Sequence, residues 1–496
     1  MSRMDAASAS VERLRALQQE CAAYRGASPH PSRPHIAADV DRPVWDRIHA
    51  LMQELVLRIS AGARGEDNSD DDDDDDDALL AEIGGCAEAL GDLCAFARNA
   101  AAAGPRNQEA IADSGVMADM ASVARQMVRR ELGCAAAARC AAAAGQALSN
   151  TVTGDARLRR RLMDAELLAG QEPTESVYWC LLVSTSAKTS TAGAVLLLNS
   201  VKDDAALCSA LCSADAGRAV AHKVGELFGD SADDEAEHKT LLYVVLEALI
   251  AHRCYGALLA GGAQLGAYGL LDALAVHCKQ STGPSGYAAL LDAALLGALN
   301  AVLAACRDVL ARAWQGAAGA VDTEDLVAVQ RSLAAALAAL GEATVDMDAA
   351  LSARVLEAGL VRTAVALLGL LSQHLPRARA AGGAEPASRA FAFKRDLIRV
   401  IGNAAHRNPP AQDLVRELGG LEMVLDNMQI DDSHPFIREH AVVALRCLLQ
   451  DNAASQEYVQ GMGAVGVVQD PQVARAGLQA RIGPDGRVVV ERAEQE

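Results

Sequence analysis

Asn99, Asn150, Asn199 and Asn403 share a type and a setting, each near the end of a long helical pattern. A carboxamide offers a donor and an acceptor together, so a row of them can hydrogen-bond the backbone of an extended peptide. Arg98, beside Asn99, and Arg446, near the end of the final such pattern, are candidates for the same face. The competing reading is that these amides only hydrogen-bond their own helix ends. Cys447 takes the equivalent place in the final pattern, so the row breaks there.

Chemistry of other kinds finds little support. The chain has no G-x-x-x-x-G-K-S/T phosphate loop, no G-x-G-x-x-G after a strand, no G-x-S-x-G and no H-E-x-x-H. Nor is there a Cys-x-x-Cys pair. Cys208 and Cys212 could share one helix face, but two thiolates without partners make a weak zinc site, and free cysteine is ordinarily a small buried residue. Asp431 and Asp432 lie at a helix start, where capping and dipole compensation explain them. No enzyme, cofactor or metal site is expected.

The elements that would position the asparagines repeat. "AFKRDLIRVIGNAAHRNPPAQDLV" (392–415) slides onto "FIREHAVVALRCLLQDNAASQEYV" (436–459) with an offset of 44. Phe393, Leu397, Val400, Ile401 and Ala404 fall on Ile437, Ala441, Ala444, Leu445 and Leu448, the apolar stripe of an amphipathic helix. Past the helix, Asn408 meets Asn452, Gln412 meets Gln456 and Gly419 meets Gly463. "LSNTVTGDARLRRRL" and "LLNSVKDDAALCSAL" align in the same way, Asn150 on Asn199 and Asp155 on Asp204. Arg159 replaces the repeat's glutamine, which puts the loop packing of that unit in doubt and creates a basic cluster at 157–161 suited to an acidic partner. Residues 240–375 are helical by pattern but their phase is not evident.

A period of 40–50 residues, each unit holding a long helix and shorter ones, means an armadillo or HEAT-like α-solenoid, because one such unit cannot bury its apolar face alone. Composition agrees. Hydrophobic residues make up 51% and aromatics 3%, so the apolar weight is Ala, Leu and Val, which favours closely packed helices in an all-α fold. "LQARIGPDGRVVVE" alternates around Pro-Asp-Gly and predicts a short C-terminal β-hairpin.

Asp70–Asp77, with Glu66 and Asp67, supply ten of the twenty excess negative charges. Such a balance argues against sequence-independent nucleic-acid binding and against anionic membrane. The most apolar run, "LLYVVLEALIAHRCYGALLAGG", is interrupted by Glu247, His252 and Arg253, so no membrane span is expected. The first residues lack the apolar core of a secretory signal; the twelve cysteines are therefore expected as thiols and the protein as cytoplasmic.

These features divide the chain into N-terminal helices with a Pro-rich linker (1–61), an acidic disordered loop (62–78) and a repeat arm (79–374). A linker (375–390), a C-terminal domain (391–466) and a tail with the hairpin (467–496) complete it. The acidic loop is either a tolerated insertion or a docking strip for a basic partner, with Ser69 facing an acidophilic kinase. In "IDDSHPFIRE", Asp or Ser caps a long helix, Pro435 sits in its first turn, and Phe436 is expected as a buried staple at the helix entry. The other reading of that string is a partner-binding corner.

The stretch "FKRDLIRVIGNAAHRNPPAQDLVRELGGLEMVLDNMQIDDSHPFIREHAVVALRCLLQDNAASQEYV" closely resembles the C-terminal domain of the ataxin-10 family. The carrying residues include Asp426, Asn427, Asp431, Asp432, Pro435, Phe436 and Glu439. "LCAFARNAAAAGPRNQEAIA" and "QALSNTVTGD" resemble the family's N-terminal armadillo repeats more faintly. The resemblance implies a non-enzymatic scaffold. It implies self-association, roles in cytokinesis and neuronal survival, and partners such as a heterotrimeric G-protein β subunit and the O-linked N-acetylglucosamine transferase. Some fungal relatives carry a copper-transport name, but this sequence has no Cys-x-Cys, Met-rich tract or His cluster to hold copper.

Overall fold

Small side chains set the scale of the fold. The helix "AAAARCAAAAGQALSNTV" has so little bulk that its neighbours approach nearly to backbone contact. A computed structural model describes residues 3–26, 35–36, 39–62, 73–132, 134–170, 172–230, 236–260, 266–280, 290–315, 321–345, 347–375, 392–429, 436–462, 467, 471–484 and 488–492. Residues 1–280 and 281–496 form two compact units.

In the first unit, α1 (Arg3–Ala22) packs on α2 (Arg42–Gly62), and α2 covers the start of a helical stack. The stack is built from triplets of one long and two shorter helices. They are α3 (Asp73–Ala103), α4 (Pro105–Ser114) and α5 (Val116–Val128); then α6 (Ala135–Val152), α7 (Ala156–Met163) and α8 (Val177–Leu182). The third triplet is α9 (Ala187–Val201), α10 (Ala205–Ser213) and α11 (Asp215–Asp230). The fourth is α12 (Ala236–Ala251), α13 (Tyr255–Ala260) and α14 (Tyr268–Gln280). Long helices stack as α3, α6, α9, α12, and third helices as α5, α8, α11, α14. This is the armadillo type of packing expected from the period.

The second unit opens with α15 (Ala293–Trp314), followed by the triplet α16 (Thr323–Ala343), α17 (Ala349–Glu357) and α18 (Leu360–His374). Next come α19 (Ala392–Ala405), α20 (Pro409–Glu417) and α21 (Gly420–Asp426), then α22 (Ile437–Leu449) and α23 (Ala453–Gly461). Long helices α16, α19 and α22 stack in order, as do α15, α18 and α21. The helices flanking the expected 375–390 linker therefore pack directly on each other, and residues 376–391 lie outside the described ones. Short helix α24 (Pro471–Arg475) carries an antiparallel hairpin of β3 (Leu478–Ile482) and β4 (Val488–Arg492), as the alternation at Pro-Asp-Gly predicts. A further two-residue pair joins β1 (Arg25–Gly26) to β2 (His35–Ile36).

A backbone signature phases the middle of the chain. Gly154, Asp203, Arg407 and Asp451 each take a left-handed conformation four residues after Asn150, Asn199, Asn403 and Cys447. Arg253 does the same at the end of α12, which assigns α12–α14 to the same repeat. In these five repeats that residue turns the chain sharply from the long helix into the next short one, whereas α3 and α16 end at Gly104 (φ 160°) and Thr344 (φ −93°).

Other expectations change. Asp73–Asp77 begin helix α3 instead of lying in a loop, a placement the helix dipole favours, while residues 63–72 lie outside the described ones. Helix α22 starts at Ile437, later than a cap at Asp or Ser would place it; Asp431, Asp432 and Pro435 lie outside the described residues. Among the described residues two helices, α15 and α16, are long and apolar enough to cross a membrane by length and composition. About half of each is buried within the protein.

Candidate protein-interaction face

The asparagines lie on long helices of both units, and each amide has a defined partner. Asn150 Nδ2 donates to the Arg98 carbonyl of α3 at 3.0 Å. Asn199 Nδ2 donates to Ser149 Oγ and Thr153 Oγ1 at the end of α6, at 2.8 and 3.0 Å. In the second unit Asn403 Nδ2 reaches the Gly341 carbonyl and Thr344 Oγ1 at the end of α16, at 3.3 and 3.2 Å. The amino groups thus tie each long helix to the end of the preceding one, a role that neither peptide binding nor capping of the residue's own helix describes. The Oδ1 atoms of these three half-buried side chains make no hydrogen bond among the described residues. Asn99 Oδ1 instead accepts from Arg98 Nε at 3.2 Å, and Arg98 Nη1 donates to Gln146 of the next long helix at 2.8 Å.

A second set of ties between repeats lies nine residues further on. Gln108 Nε2 donates to the Asn150 and Thr153 carbonyls at the end of the following long helix, at 2.8 and 3.0 Å. Gln412 Nε2 does the same to Cys447 and Gln450, at 2.8 and 3.1 Å, and also holds Ala405 of its own repeat. Helix ends carry carbonyls without intrahelical partners, so a buried amide here satisfies groups that would otherwise be costly to bury. Arg159, which stands where the repeat has glutamine, reaches the Lys202 carbonyl at 3.0 Å and performs the same task. The aligned glutamines are the sequence signal for these ties; what they touch is not legible there.

The basic cluster is answered by this chain's own carboxylates. Arg157 pairs with Glu109 at 2.5 Å, Arg161 with Asp113 at 3.1 Å and Arg160 with Asp164 at 2.8 Å. Asp155 and Asp204 cap the short helices that follow, as their alignment suggests.

In the C-terminal domain Asn452 Nδ2 donates to Gln412 Oε1 and Asp413 Oδ1, and Arg416 reaches Ser455. The bonds from Asn452 and Arg416 hold the Asp413 carboxyl below its usual range. Asn427 is buried and closes α21 by donating to the Met423 carbonyl at 2.7 Å, whereas Asp426, Glu439 and Arg446 are exposed.

Phe436 corrects the staple expectation. It is 69% exposed and precedes α22 in a left-handed backbone conformation, φ 70°. The exposed ring does not brace the helix entry, and an aromatic residue holds that conformation only at a cost in strain. His440, one turn into α22, has its pKa lowered by burial and by the nearby Arg395 and Arg399. Among the described residues no group of three His, Cys, Asp or Glu side chains is placed to hold a metal ion.

Comparison with solved structures returns helical-repeat proteins at low similarity. A designed armadillo repeat protein aligns over 80% of this chain and 99% of its own at 13% identity, TM-score 0.25. Uso1 aligns over 95% and 58% at 11% identity, TM-score 0.32. Sequence comparison is more specific. Residues 393–491 match the family described as the Spinocerebellar ataxia type 10 protein domain. The ataxin-10 homolog of Saccharomyces cerevisiae is 42% identical over 92 residues, 18% of this chain and 16% of that protein. The Dictyostelium discoideum homolog is 34% identical over 96 residues, 19% and 16%. Ataxin-10 of Homo sapiens is 37% identical over 87 residues, 18% of each. The matches thus span under a fifth of these relatives' length. The similarity to the ataxin-10 family thus rests on the C-terminal domain, residues 393–491.

Proposed function

We propose that the protein is a non-catalytic, cytoplasmic interaction scaffold whose asparagine-bearing long helices receive an extended segment of a partner. One observation carries this reading. Asn150, Asn199 and Asn403 use their amino groups to join repeats, and their Oδ1 atoms stay available on half-buried side chains. Within the first unit Asn150 and Asn199 stand on successive long helices, and acceptors repeated in this way suit the N–H groups of a peptide backbone. By family resemblance the partners to test first are a G-protein β subunit and the O-linked N-acetylglucosamine transferase, in a setting of cytokinesis or signalling.

Removing the asparagines would also loosen the stack, so the test uses a neighbour. Val195 precedes Asn199 by one turn on the same helix face and is half-buried. Val195→Glu should abolish capture of a defined partner while leaving the unfolding free energy within about 1 kcal/mol of wild type. Unchanged capture would count against the face.

Self-association is the second reading. Phe436, just before α22, and Val443 on that helix are 69% and 60% exposed. Phe436→Ser should lower the sedimentation coefficient if copies join there.

A further inference from the structure

One repeat of the first unit breaks a pattern that others keep. Where a left-handed residue leads the chain out of a long helix, the next residue is Asp155, Asp204, Asn408 or Asn452. Asp155, Asp204 and Asn452 cap the short helix that follows through their side-chain oxygens. In the fourth repeat Arg253 is the left-handed residue, and Cys254 holds the capping place before α13. Sulfur is a weak acceptor for helix N–H groups, so the position gives up a cap that three of its counterparts make. The thiol instead donates to the His252 carbonyl at 3.5 Å.

What that sulfur meets supplies a reason for the exchange. Helix α13 packs on α10 of the preceding repeat, and Cys212, in the last turn of α10, hydrogen-bonds Cys254 across the junction. The bond from the Cys212 S–H lowers the Cys254 pKa and raises that of Cys212. Cys254 is thus the thiol that ionises first, and it is the more exposed of the two, at 7% against 2%. The thiolate is the form that reacts with oxidants. Cys208, one turn before Cys212, is fully buried and its thiol is committed to the Val201 carbonyl at 3.3 Å. A second thiol pair, Cys94 with Cys140, joins α3 to α6, but both members are shut between long helices.

We infer that Cys212 and Cys254 are an oxidisable dithiol, closed to an intrachain disulfide by a hydroperoxide. The Cys254 thiolate attacks the O–O bond and becomes a sulfenic acid. The other oxygen leaves with the proton Cys254 has lost, as an alcohol, or as water when the oxidant is hydrogen peroxide. The Cys212 sulfur then attacks the sulfenic sulfur. The S–S bond forms as the S–O bond breaks, and the hydroxyl departs with the Cys212 proton as water. The two sulfurs give up two electrons and the peroxide takes them. The new bond staples the third repeat to the fourth through α10 and α13, and a thiol reductant reopens it. This site is distinct from the asparagine face, and its failure would leave the scaffold reading standing.

The test treats the full chain with hydrogen peroxide, blocks the remaining thiols with N-ethylmaleimide and digests it with trypsin without reduction. Peptides 203–218 and 254–279 should appear joined, with fragment ions placing the link between Cys212 and Cys254 and leaving Cys208 and Cys278 blocked. Linkage of Cys94 to Cys140 should be at least about tenfold slower, since the oxidant must reach the sulfur. The linked chain should melt about 5 °C above the reduced one, and dithiothreitol should reverse the shift. Cys254→Ser returns an oxygen to the capping place, so it should fold as wild type does and form no link. Cys212→Ser should leave Cys254 as a sulfenic acid that dimedone traps. A link made by Cys208 or Cys278, or a Cys94–Cys140 link formed as readily, would overturn the inference. So would no link at any peroxide level that leaves the chain folded, or a linked chain that melts below the reduced one.

Discussion

The two units solve one packing problem with different residues. In the first, long helices meet through Ala, Gly and Cys, and third helices α11 and α14 cross so closely that a Cβ on Gly269 would lie 1.8 Å from the Gly225 carbonyl oxygen. In the second, α19 and α22 also meet closely at Gly402 and Ala444, beside larger buried groups such as Leu397 and Ile398, with polar ties laid across the junctions. Arg399 pairs with Glu342 at 3.2 Å over Gly341, and Gln412, Asn452, Asp413 and Arg416 form one network. Both units lay directed bonds across their junctions, but the tightest approach, at Gly269, falls in the first, and the buried Gln412–Asn452 network falls in the second. Overpacking should therefore damage the first most, and loss of hydrogen bonds the second.

The largest expected effect is on Gly269. Adding one methyl group there, Gly269→Ala, meets backbone that cannot rotate away, and should destabilise the first unit by about 3 kcal/mol or more in chemical denaturation. A cost below about 1 kcal/mol would mean the helices are further apart than described. Next comes Gln412→Ala, which strips three carbonyls and Asn452 of a buried donor and acceptor, and should cost about 2 kcal/mol. Gln108→Ala, its counterpart in the first unit, loses two carbonyl bonds at a partly exposed site and should cost about 1 kcal/mol. Equal losses at the two positions would erase the contrast between the units.

The smallest effect concerns pH. His440 has a lowered pKa in the folded state, so the unfolded chain binds the proton more readily. Its contribution is full above the ordinary histidine value of about 6.5 and falls as pH drops through the window below it. Melting of the second unit should decline by a degree or two between about pH 7 and 5.5, and His440→Gln should flatten that slope. A slope unchanged by the substitution would place the titration elsewhere.

The same contrast governs what can be read from the sequence. The C-terminal repeat is legible because its polar residues have specific work: Asn408, Gln412, Asn452 and Gln456 recur at fixed distances, since each must reach a particular helix end. The middle of the chain is not legible. An alanine helix reads alike in any register, and the left-handed turn at Arg253 leaves no mark that a sequence pattern can show. Phe436 misleads for a related reason. A hydrophobic residue before a helix looks like a staple until its backbone conformation is known. Spacing alone finds the asparagines, yet spacing cannot tell that their amino groups bind the preceding helix.

The most direct test of the account is affinity capture from native cell extract with quantitative mass spectrometry, comparing wild type with Val195→Glu at matched helicity and melting. Selective loss of a defined heterologous partner, which a Val195→Ile control retains, is the predicted result. A partner set unchanged by the introduced charge would contradict the claim that the asparagine-bearing face is where this scaffold binds.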